Sequence, residues 1–274
     1  MTNIRLPSIL DPVAIIGKKF LDIIKLIGGV GLLLSDTFFW GIIAPLSGKF
    51  PDRKSIEKQL IDEGVNSVPI VGLLSFTVGL ILAMQTSFNL EKLGAATYFP
   101  ALVAVATVRE LGPLISSIII SGRVGASIAA ELGTMVVAEE IDALRSMSLH
   151  PVRFLVIPRV IALFVMLPCL AMLANVASIA GAFVFGASTL DMSFASFKQM
   201  AFEYMTDTDV WTGLLKAAVF SFLISGISCY NGLTVTGGAE GVGRATTRSV
   251  VFSIFAIIIA DGIFTAVFYY LLKL

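Results

Sequence analysis

The chain has 274 residues, 57% hydrophobic and 14% charged, with 19 basic and 19 acidic side chains and a formal net charge of zero. Soluble domains carry about 25% charged residues, so the composition excludes an ordinary soluble domain and points to an integral membrane protein. Zero net charge excludes a global field that would steer nucleic acid, and charge placement becomes the informative variable.

The first residues, MTNIRLPSILDP, hold one arginine and no apolar core before Pro12, so no cleavable signal is expected. Residues 13–48 are apolar but interrupted by Lys18, Lys19, Asp22, Lys25 and Asp36. Ile16, Phe20, Ile23, Ile24 and Ile27 recur at helical spacing, with Lys18, Lys19, Asp22 and Lys25 mostly opposite them. That pattern predicts a helix lying in the membrane interface rather than a sixth span. Residues 49–64 read as a short amphipathic linker or helix. The expected organisation is an interfacial and linker region, 1–64, followed by a domain of five spans, 65–274.

A spanning helix needs about 20 mostly apolar residues. Five such segments follow, near 67–90, 98–135, 153–188, 211–234 and 249–272. The second is too long for a simple span and is expected to break at Gly112-Pro113, freeing a carbonyl near Arg109. The fold class is therefore all-α. Thirteen Lys and Arg side chains lie in the N-terminal region and the 136–159 and 235–248 connections, against three in the alternate connections and C-terminus. The positive-inside rule then makes the N-terminus cytoplasmic and puts the C-terminus on the opposite side. No internal repeat is visible, which removes support for an inverted-repeat secondary transporter.

Charges inside apolar segments are costly and tend to be used. Arg109, Glu110, Arg123, Glu131 and Asp261 are such charges. Arg109 with Glu110 fits either a polar patch that holds a charged head group or an Arg–Glu pair satisfied between helices. Asp261 is either protonated or paired with a basic residue such as Arg123. Ser121, Gly125, Ala129 and Gly133, spaced by four, make a small-residue face. Ordinary packing within the chain and a dimer seam are equally consistent with it.

The turn AEEIDALRSMSLHP, residues 138–151, places Ile141, Leu144 and Met147 three apart behind a run of acids. This predicts a short amphipathic helix between spans two and three, either solvated or docked on a soluble partner. The glycine-rich, basic stretch 236–248 reads as a tight turn or a phosphate cradle, without the pattern of a nucleotide loop. No HExxH occurs and the lone His150 lies in a connection, so neither a metal site nor an intramembrane serine hydrolase is expected. Cys169 and Cys229 lie in different apolar segments and read as small buried hydrophobes.

Four stretches, in order, resemble the MlaE-type (YrbE-type) permease family: Arg109-Glu110-Leu111-Gly112-Pro113; Ser121 to Met135; Ala138 to Leu144 with Pro158-Arg159 after it; and Gly237 to Val251. The resemblance covers roughly residues 65–265. It implies a permease subunit of an ABC transporter that moves phospholipid or a related lipid in the inner membrane of a double-membraned bacterium. It implies a homodimer, a cytoplasmic ATPase that binds the ATP, and a periplasmic MCE-domain partner. This subunit would hold no cofactor and catalyse no reaction. The helix near 139–147 would be the coupling helix, with Glu139, Glu140, Ile141, Asp142, Leu144, Arg145 and Met147 meeting the ATPase. Glu140 stands where the family often has Gln. A periplasm-facing lipid cavity between protomers would be lined by Leu82, Asn89, Leu90 and Leu93, with Arg109 and Glu110 near the head group. Arg123, Glu131 and Asp261 would be structural charges. Two other classes remain open: a proton-coupled secondary transporter using Arg109, Glu110 and Asp261, and a scaffold with no transport path.

Overall fold

A computed structural model describes residues 10–40 and 53–272. Arg5, Lys49 and Lys273, which entered the charge count, lie outside the described residues, as do the side chains of Ile16, Lys18, Lys19, Phe20, Asp22 and Ile23. Eight helices follow one another: α1 (Leu10–Phe38), α2 (Arg53–Glu91) and α3 (Phe99–Val137), α4 (Glu140–Ser146), α5 (Val152–Thr189), α6 (Phe194–Glu203), α7 (Asp207–Leu233) and α8 (Gly238–Leu272). Five of them, α2, α3, α5, α7 and α8, are long and apolar enough to cross a membrane. No strand occurs among the described residues.

Helix α1 is not among those five. Its Leu26 and Val30 are buried against Ile227 of α7, with Leu34, Tyr230, Phe252 and Ala256 around them. Gly29 permits this contact, since a Cβ there would stand 2.2 Å from the Tyr230 ring. Leu21, Ile24, Ile27 and Leu32 on the remaining surface stay exposed. The packing face is thus Leu26–Val30, beside the Ile24–Ile27 stripe legible in the sequence.

Helix α2 begins at Arg53 and continues through residue 64, so the expected linker is the first part of the span-one helix. It crosses α5 at close range. A Cβ on Gly79 would stand 1.9 Å from the Ser178 carbonyl oxygen, and one on Gly181 would stand 2.2 Å from that of Phe76. Backbones that approach so closely gain dispersion contacts over a long seam, which replaces the hydrophobic drive that lipid cannot supply.

Helix α3 departs from expectation. Gly112-Pro113 does not break it. A π-helical turn, Thr107–Leu111, precedes the proline, and the Gly112 N–H donates to the Thr107 carbonyl. The extra residue absorbs the missing proline donor. Ser116 and Ser117 hydroxyls donate to the Gly112 and Pro113 carbonyls at 2.7 and 2.6 Å. A second π turn covers Ser121–Gly125.

The main core joins α3, α5, α7 and α8 through residues such as Ile120, Leu132, Leu163, Phe220 and Ile257. The Ser121–Gly133 face packs within the chain. Ser249 of α8 donates to Ser228 of α7 at 2.8 Å, over Gly125. A second cluster holds Phe99, Val103, Ala182 and Phe197. Phe197 belongs to α6, a short helix inside the connection between spans three and four, capped by the Ser193 hydroxyl. Two further expectations change. The 236–248 stretch is helical from Gly238, and only Gly237 and Gly238 take left-handed turns. Beyond the first turn its backbone N–H groups serve the helix. Cys229 is buried, but Cys169 is exposed on α5.

The α2–α5 crossing generates a test. Gly79→Ala or Gly181→Ala forces backbone apart and should cost about 1–3 kcal/mol or more. Gly72→Ala, where nothing lies within 4 Å, should leave stability unchanged. Thermal unfolding of the purified protein in detergent reads both.

Candidate functional site

Two polar clusters and one short helix interrupt the apolar bundle. The first cluster forms where α3 meets α7. Gly213 lets the helices touch, since a Cβ there would stand 2.3 Å from the Val108 carbonyl oxygen. Asp209, Thr212 and Lys216 share one face of α7 at i, i+3 and i+7. Arg109 and Glu110, just past the contact point, therefore meet that face at two levels. Arg109 Nε donates to Asp209, and Lys216 Nζ donates to Glu110. Asp209 is fully buried and also accepts the Thr206 N–H at 2.8 Å, closing the capping box of α7.

Helix α8 completes the cluster. Lys216 Nζ stands 3.0 Å from Asp261 and donates to Thr265 at 2.9 Å. The Thr265 hydroxyl lies 3.0 Å from Glu110 Oε1 and 2.9 Å from the Asp261 carbonyl oxygen. Lys216 is 1% exposed. One buried ammonium thus ties together three helices, and three carboxylates face two cations. A cavity of about 70 Å³ adjoins it, lined by Arg109, Glu110, Thr212, Thr265, Phe268 and Tyr269 with Lys216.

The second cluster lies toward the far end of α3. Arg159, itself buried, pairs with Glu131 at 2.7 Å and donates to the Leu155 carbonyl at 2.6 Å. Arg123 donates to the Ser67 hydroxyl, which in turn donates to the Glu63 carbonyl at 2.6 Å. Arg123 therefore serves α2, and the partner of Asp261 is Lys216, not Arg123. The 22 residues from Arg109 to Glu131 span about 33 Å, close to the roughly 30 Å hydrocarbon thickness of a bilayer.

The short helix α4 follows the end of α3. Glu139 adopts a left-handed conformation, φ 59°, and Ser148 another, φ 60°, so sharp turns bracket it. Ile141 is buried against the α3 terminus and anchors it, while Leu144 is half-buried. Glu139, Glu140, Asp142, Arg145 and Met147 are exposed. Met147 does not join Ile141, because α4 ends one residue before it. Asp142 and Arg145 pair at 3.2 Å on the surface.

Leu82, Asn89 and Leu90 of α2 and Leu93 just after it, read as lipid-lining, do not reach the first cluster within one chain. Leu82 and Leu90 pack against the Phe99–Phe197 cluster, and Asn89 and Leu93 are exposed. None of them lines the cavity at Arg109 and Glu110.

The MlaE permease model matches residues 56–267. The chain belongs to the MlaE permease family. A probable ABC transporter permease protein of Rickettsia conorii is 41% identical over 214 residues, covering 78% of this chain and 83% of the relative. A probable ABC transporter permease protein of Synechocystis is 37% identical over 216 residues, covering 79% and 82%. The chloroplastic protein trigalactosyldiacylglycerol 1 of Arabidopsis thaliana is 35% identical over 228 residues, covering 83% and 65%. The chain is an ABC transporter permease and a multi-pass membrane protein.

In this MlaE-family permease, Lys216, Asp209, Thr265, Glu63 and Arg159 escaped the sequence reading. A signal existed for two of them: Asp209, Thr212 and Lys216 keep helical spacing in an apolar segment. Removing Lys216 leaves Glu110 and Asp261 facing each other without a cation. Lys216→Ala should cost about 3–5 kcal/mol, read as a fall in the thermal midpoint. Lys216→Met combined with Glu110→Gln and Asp261→Asn should recover much of the loss, because no charge is left unpaired.

Proposed function

We propose that this permease moves phospholipid or a related lipid between a bacterial inner membrane and a periplasmic MCE-domain protein, driven by a separate cytoplasmic ATPase. The observation that carries this reading is the continuity of α3. One helix holds Arg109 and Glu110 near one end and leads directly into the exposed, acid-faced α4 at the other. Force applied to α4 enters through Ile141 and the α3 terminus. It travels along a hydrogen-bonded rod to the Lys216 cluster, where α7 and α8 are tied to the same charges.

Orientation follows from the basic connections, which put α4 in the cytoplasm with the ATPase. Glu139, Glu140, Asp142, Leu144, Arg145 and Met147 form the docking face, and Ile141 is its anchor. A lipid substrate is supported by the relative named for trigalactosyldiacylglycerol, a diacylglycerol lipid. Arg109 offers guanidinium donors suited to a phosphate, and Phe268 and Tyr269 beside it suit acyl chains. Five spans make a short wall for a lipid path. Helix α8 leaves Val251, Phe255, Ile259 and Ile263 exposed, so a second copy of the chain is the natural means of closing it. In that pair, Leu82 and Leu90 of α2 and Leu93 after it are the apolar lining proposed for the acyl chains, with Asn89 beside them. ATP binds the partner subunit, and this chain supplies path and linkage.

The docking role is tested by charge reversal. Glu139→Lys with Asp142→Lys should reduce ATPase co-purification by about tenfold or more, the cost of opposed charges at an interface. The permease should remain folded in the membrane. An ATPase that stays bound and stimulated overturns the reading. The lipid is tested by mass spectrometry of the intact complex, where Arg109→Ala should lower the lipid retained per complex.

A further inference from the structure

Glu63 is the buried charge that the transport reading leaves unused. It is 3% exposed, and neither carboxylate oxygen has a hydrogen-bond partner. It lines a polar pocket of about 400 Å³ between the first turns of α2 and the far half of α3, a size typical of small-molecule sites. The other polar groups at this pocket include Lys58, Asp62, Asn66, Arg123 and Glu131. Lys58, Asp62 and Asn66 are exposed at its mouth, and Arg123 is half-buried within.

The inventory of partners is uneven. Glu131 is held by Arg159. Arg123 uses one Nη on Ser67 and keeps further N–H donors. Arg159, the nearby cation, gives its two Nη groups to Glu131 and the Leu155 carbonyl, and its buried Nε has no partner. Glu63 brings a carboxyl group with no donor on either oxygen, and burying such a group unpaired is costly. A group with N–H donors satisfies it, and a positive charge on that group favours its ionised form. A primary ammonium has three. Arg123 and Lys58 on the same pocket suit an anion next to that ammonium.

We infer that this pocket binds the phosphoethanolamine group of an aminophospholipid, with the ammonium on Glu63 and Asp62 and the phosphate on Arg123 and Lys58. The pocket lies toward the α4 end of α3, from about 21 Å (Arg123) to about 33 Å (Glu131) along the helix from Arg109, so it is separate from the proposed transport cavity. It stands whether or not lipid is moved there. A choline head group has the charge but no N–H, and a glycerol head group has no cation. Either would leave Glu63 unsatisfied, which makes the pocket selective by what it fails to pair.

The test uses the intact complex in nanodiscs of equimolar phosphatidylethanolamine, phosphatidylcholine and phosphatidylglycerol, with benzoylphenylalanine placed at the exposed Ser127 on the pocket rim. Photo-adducts are read by mass spectrometry. The ethanolamine lipid should exceed the others by about tenfold, the worth of one charged hydrogen bond. Glu63→Gln should abolish that preference, whereas Lys58→Ala, at an exposed position, should weaken ethanolamine and choline adducts alike. Arg109→Ala should leave the preference intact, which separates this pocket from the transport reading. Soluble phosphoethanolamine in millimolar excess removes the adduct if the free group is the ligand and leaves it if the lipid is. Equal adducts from the three lipids overturn the inference. So does an unchanged preference in Glu63→Gln with a lowered thermal midpoint, which would make Glu63 a structural partner of Arg159. A protein–protein adduct at Ser127 also overturns it, because a second copy would then cover the mouth.

Discussion

The buried Lys216 ammonium is the interaction on which the upper half of this permease depends. An ion taken out of water loses hydration worth far more than one hydrogen bond returns, so it persists only where partners surround it. Lys216 finds Glu110 on α3 and Asp261 with Thr265 on α8. Each partner would itself be unsatisfied without it. The three helices are therefore held at one register, and a slide of one helical turn along any of them would strand a charge. Apolar packing is forgiving of such slides, particularly in lipid, where the hydrophobic effect does not distinguish neighbour from solvent.

Helix α3 converts that local constraint into a long-range one. The π turn at Thr107–Leu111 lets the helix pass Pro113 without losing continuity. A broken helix at that point would uncouple Arg109 and Glu110 from the terminus that carries α4. Instead one rod joins the two clusters, pinned by Lys216 at one and by Arg159–Glu131 at the other. The rod also holds a wall of the pocket at Glu63, where α2 enters. Motion at α4 must then either move both clusters or break one.

Close backbone approach sets the remaining geometry. Gly79 and Gly181 seat α2 on α5, Gly213 seats α7 on α3, and Gly29 seats α1 on α7. These contacts place side chains that hydropathy treats as equivalent into quite different surroundings. Leu82 and Leu90 turn into the Phe99–Phe197 cluster, while Leu73, Ile81 and Phe88 of the same helix stay exposed.

The sequence by itself determined the class of structure. Apolar runs of spanning length, the weaker amphipathic α1 and the acidic turn before residue 147 were readable, because each depends on local composition and helical period. The MlaE motifs were readable for the same reason, being contiguous. The partner of Asp261 was not, since Arg123 and Lys216 are both basic residues in apolar segments and only the α7–α8 contact selects one. Nor was the continuity of α3, because Gly-Pro reads as a break until a π turn compensates for it. Nor was the burial of Glu63, which sits in a stretch that looks solvated until α2 extends through it and α5 covers one side. Those outcomes rest on which helices touch and at what register, and the energy of a buried charge depends on its surroundings rather than on its neighbours in the chain.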